Sequence, residues 1–235
     1  MKYITLFEQQ TAFDNAKSTL DKPNMSLVTE TGNVYSLAVG GGVTYEYVDL
    51  GLSVKWAKCN VGAEKETDAG LYFAWGETTG YTASQVGTDK RFSWSDYKYG
   101  NSSSNLTKYN QSDGKTVLES ADDAASQIMG SDWRMPTEAE FQELLSGTTN
   151  EWMQVNGVNG IKFTSRTDTS KYIFIPAAGF CSDGSVNNVD RGYVWSSSLN
   201  TSSPNYAWGL YFDSGYCGMS HHYRYGGLPV RGVRK

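Results

Sequence analysis

The two histidines of the chain stand side by side, His221-His222, with Asp213 and Cys217 shortly before them. Imidazole, carboxylate and thiolate are the groups that ligate metals or activate nucleophiles. The spacing works against both uses. Neighbours on a strand point to opposite faces, so His221 and His222 cannot readily share one ion. Cys59, Cys181 and Cys217 lie far apart without a CxxC pair, which argues against a zinc knuckle and a disulfide framework. Reduced thiols packed as small hydrophobes are expected instead. Two histidines give a Ser-His triad little to build on. The carboxylate pairs Asp122-Asp123 and Glu138-Glu140 suit helix starts, where the helix end is positive, better than acid–base catalysis. No catalytic residue, metal site or cofactor is expected, and the chain reads as non-enzymatic.

The surroundings of the histidines point to contact rather than reaction. Gly192 to Arg234 contains no Lys, Glu or Gln, although these are spread over the rest of the chain. It is rich in Tyr, Ser, Gly, Asn and His, the composition of an antibody paratope. Tyr offers a large amphipathic area with few rotors to freeze, and the small polar residues offer adaptable hydrogen bonds. Trp208, Leu210 and Phe212 alternate with Gly209, Tyr211 and Asp213, a period of two that predicts a strand with one apolar and one free face. Leu228, Val230 and Val233 read as core again.

The elements that must position this stretch follow from the chain as a whole. Its 235 residues carry a net charge of −5 with no basic block, so nucleic acid and anionic membrane are poor partners. No segment approaches the roughly 18 apolar residues of a membrane span. MKYITLFEQQ, residues 1–10, lacks an unbroken apolar stretch and a small-residue cleavage site, and is not expected to be a secretory signal. Phe7 to Leu20 reads as a short helix stopped by Pro23. Met25 to Val39 reads as a hairpin around Thr31-Gly32-Asn33. Gly40-Gly41-Gly42 is a linker signature. This places a small N-terminal docking segment at 1–42 and a ligand-binding domain at 43–235.

Within the larger part, Thr44 to Gly62 predicts two short strands around Asp49-Leu50-Gly51, and Leu71 to Glu77 a buried strand. Tyr81 to Gly114 has no period and reads as a long loop or insertion. Ser120 to Met129 predicts a short helix capped by Ser120. Thr137 with Glu140 forms a capping box for a second helix, whose buried stripe is Phe141, Leu144 and Leu145 and whose C′ residue is Gly147. Strands are expected over Ile161–Ser165, Tyr172–Ile175 and Tyr193–Ser196, with turns at Asn156-Gly157 and Asn159-Gly160.

Several of these stretches carry a resemblance. DLGLSVKWAKCNVG, GLYFAWGET, SDWRMPTEAEF, IPAAGF, YVWSSS and VRGVR, in that order, are similar to the Fibrobacter-succinogenes-type major paralogous domains. Those belong to the formylglycine-generating-enzyme-like branch of C-type-lectin-fold proteins, and the likeness runs from about Tyr45 to Arg234. The variable proteins of diversity-generating retroelements share that fold. The resemblance implies an α+β C-type lectin fold, mixed short strands with two helices, behind the N-terminal helix and hairpin. It also implies hypervariable contact residues on the C-terminal strands and loops. Randomising both adenines of an AAC codon yields Tyr, Ser, Gly, Asp, His, Asn, Cys or Arg but never Lys, Glu or Gln, in keeping with their absence here. The variable, ligand-contacting set is then Tyr206, Gly209, Tyr211, Asp213, Gly215, Tyr216, Gly218, Ser220, His221, His222, Tyr223 and Tyr225.

The chemistry of the branch does not carry over. The copper oxidase uses a cysteine pair, and none is matched. The Glu-Pro-Asn and Trp-Asn-Asp motifs of calcium-dependent lectins are missing, as are carboxylates at calcium-loop spacing. The expected ligand is a cell-surface protein or glycan. The expected carrier is a phage tail, reached through residues 1–42, or a bacterial cell surface. The alternatives are a pilus-associated adhesin and a lectin-like protein without diversification. A homo-oligomer is compatible with the sequence, but nothing in the residues counts subunits.

Overall fold

The computed structural model describes residues 45–235 throughout and, before them, only strands β1 (Met25–Val28) and β2 (Val34–Leu37). Two compact units make up the chain, Met1–Thr44 and Tyr45–Lys235. In the first, β1 and β2 pair antiparallel with Val28 opposite Val34. The helix expected over Phe7–Leu20 and the triple glycine lie outside the described residues.

The second unit is α+β, built of short antiparallel strands and two helices. One sheet joins the beginning of the unit to its end: β3 (Tyr47–Val48) and β17 (Arg231–Arg234) flank β4 (Lys55–Asn60). β5 (Tyr72–Phe73) pairs with β16 (Leu228–Pro229), and β6 (Gly100–Ser102) with β7 (Asn105–Leu106). Helices α1 (Ala124–Met129) and α2 (Glu138–Gly147) follow. A meander of β8 (Thr148–Val155), β9 (Val158–Ser165) and β10 (Tyr172–Pro176) comes next, then the pair β11 (Phe180–Ser182) and β12 (Ser185–Asn187). The last sheet is β13 (Gly192–Leu199), β14 (Tyr206–Phe212) and β15 (Cys217–Tyr223), in that order.

Two apolar clusters lie on either side of that last sheet. One gathers Phe141 and Leu144 of α2 with Ile161, Phe163, Ile173, Val194, Leu210, Phe212 and Val233. The other is mostly aromatic and gathers Tyr72, Trp75, Phe92, Tyr97, Tyr99, Tyr109 and Trp195. Rings supply here the buried area that the modest share of Leu, Ile and Val does not.

The local signals resolve as follows. The Thr137–Glu140 capping box is formed. The Thr137 hydroxyl accepts from the Glu140 amide at 3.3 Å, and the Glu140 carboxylate accepts from the Thr137 amide at 2.8 Å. Gly147 is not a left-handed C′ residue. It closes α2, with Thr148 as C-cap, and a Cβ on it would lie 2.5 Å from Leu52 Cδ2, so close packing explains the glycine. Asn156-Gly157 turns β8 into β9 with φ of 49° and 82°, the mirror-image turn that matches strand twist. Asn159-Gly160 is not a turn; it lies inside β9 opposite Gln154 and Met153. Nor does Ser120 cap a helix: a 3-10 turn spans Ser120–Asp122, and the cap of α1 is Asp123, which accepts from Ser126 N at 2.8 Å.

Tyr81 to Gly114 is the long, mostly irregular segment expected, and its aromatics reach the interior. Phe92, Tyr97, Tyr99 and Tyr109 are buried in the aromatic cluster. Outside the short β6–β7 pair, side chains fix its backbone. Lys90 Nζ donates to both Glu77 carboxylate oxygens, at 3.0 and 2.8 Å, and to Asp96 O at 2.5 Å. Asp122 accepts from Tyr109 Oη at 2.7 Å, from Lys108 Nζ at 2.5 Å and from Tyr99 Oη. Burial opposes the charge on Asp122, yet these bonds prevail and bring its pKa down to about 2.

Candidate functional site

The register of β14 against β15 decides where the expected contact residues go. Tyr206 stands opposite Tyr223, Trp208 opposite His221, Leu210 opposite Met219 and Phe212 opposite Cys217. Directly opposed residues share a face, and the inner half of this face packs toward the α2 cluster. Ala207 with His222, Gly209 with Ser220 and Tyr211 with Gly218 share the other face, where Tyr193 and Trp195 of β13 lie. The single free face expected from the alternation is therefore absent, because both faces are largely covered.

Three expected contact residues become framework. Gly209 and Gly218 are buried. The Tyr216 ring lies across Gly218, where a Cβ would come within 2.4 Å of its hydroxyl oxygen. The His222 ring packs against Tyr193 and Trp195, with centroids at 5.1 and 6.1 Å. Its Nε2 is buried without a hydrogen-bond partner among the described residues. Burial, and then the neighbouring His221, lower its pKa to about 4. His221 and His222 thus face opposite sides of the sheet.

The remaining residues form two groups. At the outer end of the hairpin, Tyr206 stacks on Tyr223 at 4.4 Å and 25°, and Tyr223 on Tyr225 at 5.3 Å and 14°. The exposed His221 meets Tyr206 and Trp208 edge-on, at 4.9 and 5.6 Å. A hydrogen bond to Tyr223, together with burial, raises the Tyr206 pKa to about 12. Ser220 is half-buried. At the opposite end, around the turn between the two strands, Asp213 accepts from Tyr211 Oη at 2.5 Å and from Gly215 N at 2.9 Å. Tyr216 lies 5.9 Å from the Tyr211 ring and is 56% exposed. The bond to Tyr211 lowers the Asp213 pKa, and the same bond raises that of Tyr211.

Two residues that support the stack escaped sequence reasoning. Trp94 packs on Tyr223 and Tyr225, at 6.3 and 4.9 Å, so an aromatic in the polar stretch flanks the stack. Arg224, between two of the stacked tyrosines, is fully buried. It donates to Tyr97 Oη (3.0 Å), Tyr109 O (2.9 Å), Pro204 O (3.0 Å) and Lys108 O (2.9 Å), and so pins three segments beneath the stack. A tryptophan among the aromatics of 92–99 and an arginine within an otherwise uncharged run were the available signals.

Reactive chemistry finds little footing. Burial pushes the thiols of Cys181 and Cys217 up to about 12, which leaves them protonated and poorly nucleophilic. Among the described residues no three His, Cys, Asp or Glu side chains converge as a metal cluster would require, and no helix is long and apolar enough to cross a membrane.

A rigid α+β frame presenting clustered tyrosines at the ends of one hairpin belongs to the class of ligand-binding domains. The model of the family described as the Lcl C-terminal domain matches residues 47–234, and the chain belongs to that family. Its domains are non-catalytic, variable ligand-binding domains of the kind that diversity-generating retroelements target. No curated protein and no solved structure matches the chain.

Proposed function

We propose that this protein is a receptor-binding or adhesion protein on a C-type-lectin scaffold, with a C-terminal surface exchanged by a retroelement and carried on a phage tail. Its contact residues are Tyr206, His221, Tyr223 and Tyr225 in the stack and Tyr211, Asp213, Gly215 and Tyr216 at the turn, with Ser220 on the sheet face opposite His221. The observation that carries this reading is the stack itself. Tyr206 and Tyr223 stand outside both clusters, Tyr223 is 40% exposed, and Tyr225 with Trp94 anchors the stack on the aromatic cluster. Rings fixed before a ligand arrives lose little entropy on binding. A patch of this type buries about 800 Å² per partner, and a few tyrosine anchors supply most of the energy, about 2 kcal/mol or more each on truncation.

Alanine at Tyr206, Tyr216 and Tyr223 together tests the reading. Binding to host cells or their surface extracts should disappear while the thermal midpoint stays nearly unchanged; an equal loss of folding would count against it. The coding locus supplies an independent test of diversification. A near-copy of the 3′ end that differs only where the template has adenine should lie beside a reverse-transcriptase gene. Adjacent tail genes would favour the phage carrier, and export or pilus genes a cellular adhesin.

A further inference from the structure

The three-stranded meander ends in an open edge. β8 pairs with β9 alone, and the register runs unbroken from Thr148 opposite Ser165 to Val155 opposite Val158. Val155 and Val158 flank the two-residue turn, so they exchange both backbone bonds, and bonded and non-bonded pairs alternate from there. The N–H and C=O groups of Asn150, Trp152 and Gln154 therefore point away from β9. The Thr148 amide points the same way and is taken by Leu144 O at the end of α2. Among the described residues no backbone bond reaches the main chain of the other three from that side. Sheets usually blunt such an edge with lysine, proline, a bulge or a very short strand. β8 is 8 residues long and has none of these. Its one charge, Glu151, stands opposite Lys162 of β9. Asn150 and Gln154 are exposed, and Trp152 is half-buried beside Phe212, 6.4 Å away.

The order of its side chains makes this edge complementary to itself. The outward groups recur at every second residue, so an antiparallel copy of β8 can meet it in only a few registers. A two-fold axis at Glu151 would set two glutamates against each other, which is destabilising. An axis at Met153 would leave Asn150 opposite the turn residue Asn156, whose φ of 49° takes it out of the strand. With the axis at Trp152 all three outward residues find partners. Asn150 stands opposite the partner's Gln154, Trp152 opposite the partner's Trp152, and Gln154 opposite the partner's Asn150. Each of these pairs closes two backbone bonds. The amide side chains of Asn150 and Gln154 carry matching donors and acceptors, and the two indoles meet on one face. Glu151 falls opposite the partner's Met153 and opposes no like charge. A two-fold interface demands such self-complementarity. We propose that β8 is a dimerisation edge: two copies of this chain pair β8 with β8 about an axis at Trp152 and join their three-stranded sheets into one. None of the stacked tyrosines takes part, so the inference stands apart from the contact-surface reading.

Sedimentation velocity on the full chain, from micromolar to millimolar concentration, tests the pairing. The mass should rise from 25.9 kDa toward twice that value. Hydrogen exchange at the Asn150, Trp152 and Gln154 amides should slow as the concentration rises. The Glu151 and Met153 amides, already bonded to β9, should change little. Two double variants at the exposed positions test the register. Asn150→Lys with Gln154→Lys sets lysine against lysine twice and should weaken association about tenfold or more. Asn150→Lys with Gln154→Glu sets lysine against glutamate twice, so the dimer should persist at low salt and loosen as salt is added. Both variants should keep the parent's thermal midpoint, since neither side chain is buried. The proposal is overturned if the chain stays monomeric throughout or if the two variants associate alike. It is also overturned if the three amides are already protected in the monomer, because another segment of the same chain would then cover the edge.

Discussion

Arg224 and Arg231 are both fully buried, and neither has a carboxylate partner. Arg231 spends its guanidinium on Asn60 Oδ1 (2.9 Å), on the carbonyls of Ala57 and Lys58 (3.0 and 2.5 Å) and on Phe174 O (2.9 Å). Burial lowers its pKa to about 10, so it remains charged at neutral pH. Arg224 combines four polar acceptors with a cage of rings, lying 4.9 Å from Trp75 and 5.4 Å from Tyr97. Carbonyl dipoles compensate both charges. What differs is the kind of structure tied together. Arg231 binds regular strands, β4 and β10, into the frame. Arg224 binds irregular segments, 108–109 and 204–205, beneath the displayed tyrosines. The same device therefore stabilises the fold in one place and preorganises the proposed contact surface in the other.

Arg231→Met should break the first role and give the largest effect. It strands four acceptors in the interior and should cost on the order of 4 kcal/mol. At a few degrees per kcal/mol for a domain of this size, the thermal midpoint falls by roughly 10 °C. Arg224→Met should cost less, about 3 kcal/mol, because its segments can relax toward water. Its mark should be local: amide exchange should accelerate over 103–112 and 203–206, and ligand affinity should fall further than stability. If exchange instead rises uniformly over both clusters, the distinction between the two arginines fails.

The third way to sharpen the comparison is His222, a buried titratable group in the same hairpin. Its folded pKa of about 4 lies below the ordinary 6.5. Above pH 6.5 the ring is neutral in both states and its protonation contributes no pH dependence. As the pH falls, the unfolded chain takes up a proton that the folded one refuses, and stability declines until the pH passes about 4. The loss should reach roughly 3 kcal/mol, read as the urea midpoint against pH. His222→Phe should remove this part of the acid sensitivity. An unchanged slope would place the titration elsewhere.

What was legible beforehand follows from this contrast. Signals that act within a few residues could be read directly: the capping box at Thr137, the Asn156-Gly157 turn, and the strands at Ile161, Tyr172 and Tyr193. Properties fixed by distant partners could not. His222 and Gly218 have the composition of a contact surface, yet Tyr193, Trp195 and Tyr216 cover them, and only register settles which face they share. Tyr97, Tyr99 and Tyr109 show no period because Glu77, Asp96 and Asp122 hold their segment through side chains. β8 escaped because it is mostly exposed and pairs with β9 alone. Its pattern TTNEWMQV lacks an apolar face to betray it.

The smallest expected effect lies far from both arginines and serves as the control. Thr137→Ala removes one half of the capping box, the hydroxyl that accepts from Glu140 N. Glu140 keeps its bond to Thr137 N at 2.8 Å and its ion pair with Arg134. The helix start therefore stays anchored from one side, and Phe141 and Leu144 still hold α2 in its cluster. Destabilisation of about 1 kcal/mol is expected, with affinity unchanged. A variant that loses stability without losing affinity is what makes the Arg224 result interpretable. If Thr137→Ala weakened binding as much as Arg224→Met, the loss there would follow from destabilisation alone, and Arg224 would have no separate claim on the contact surface.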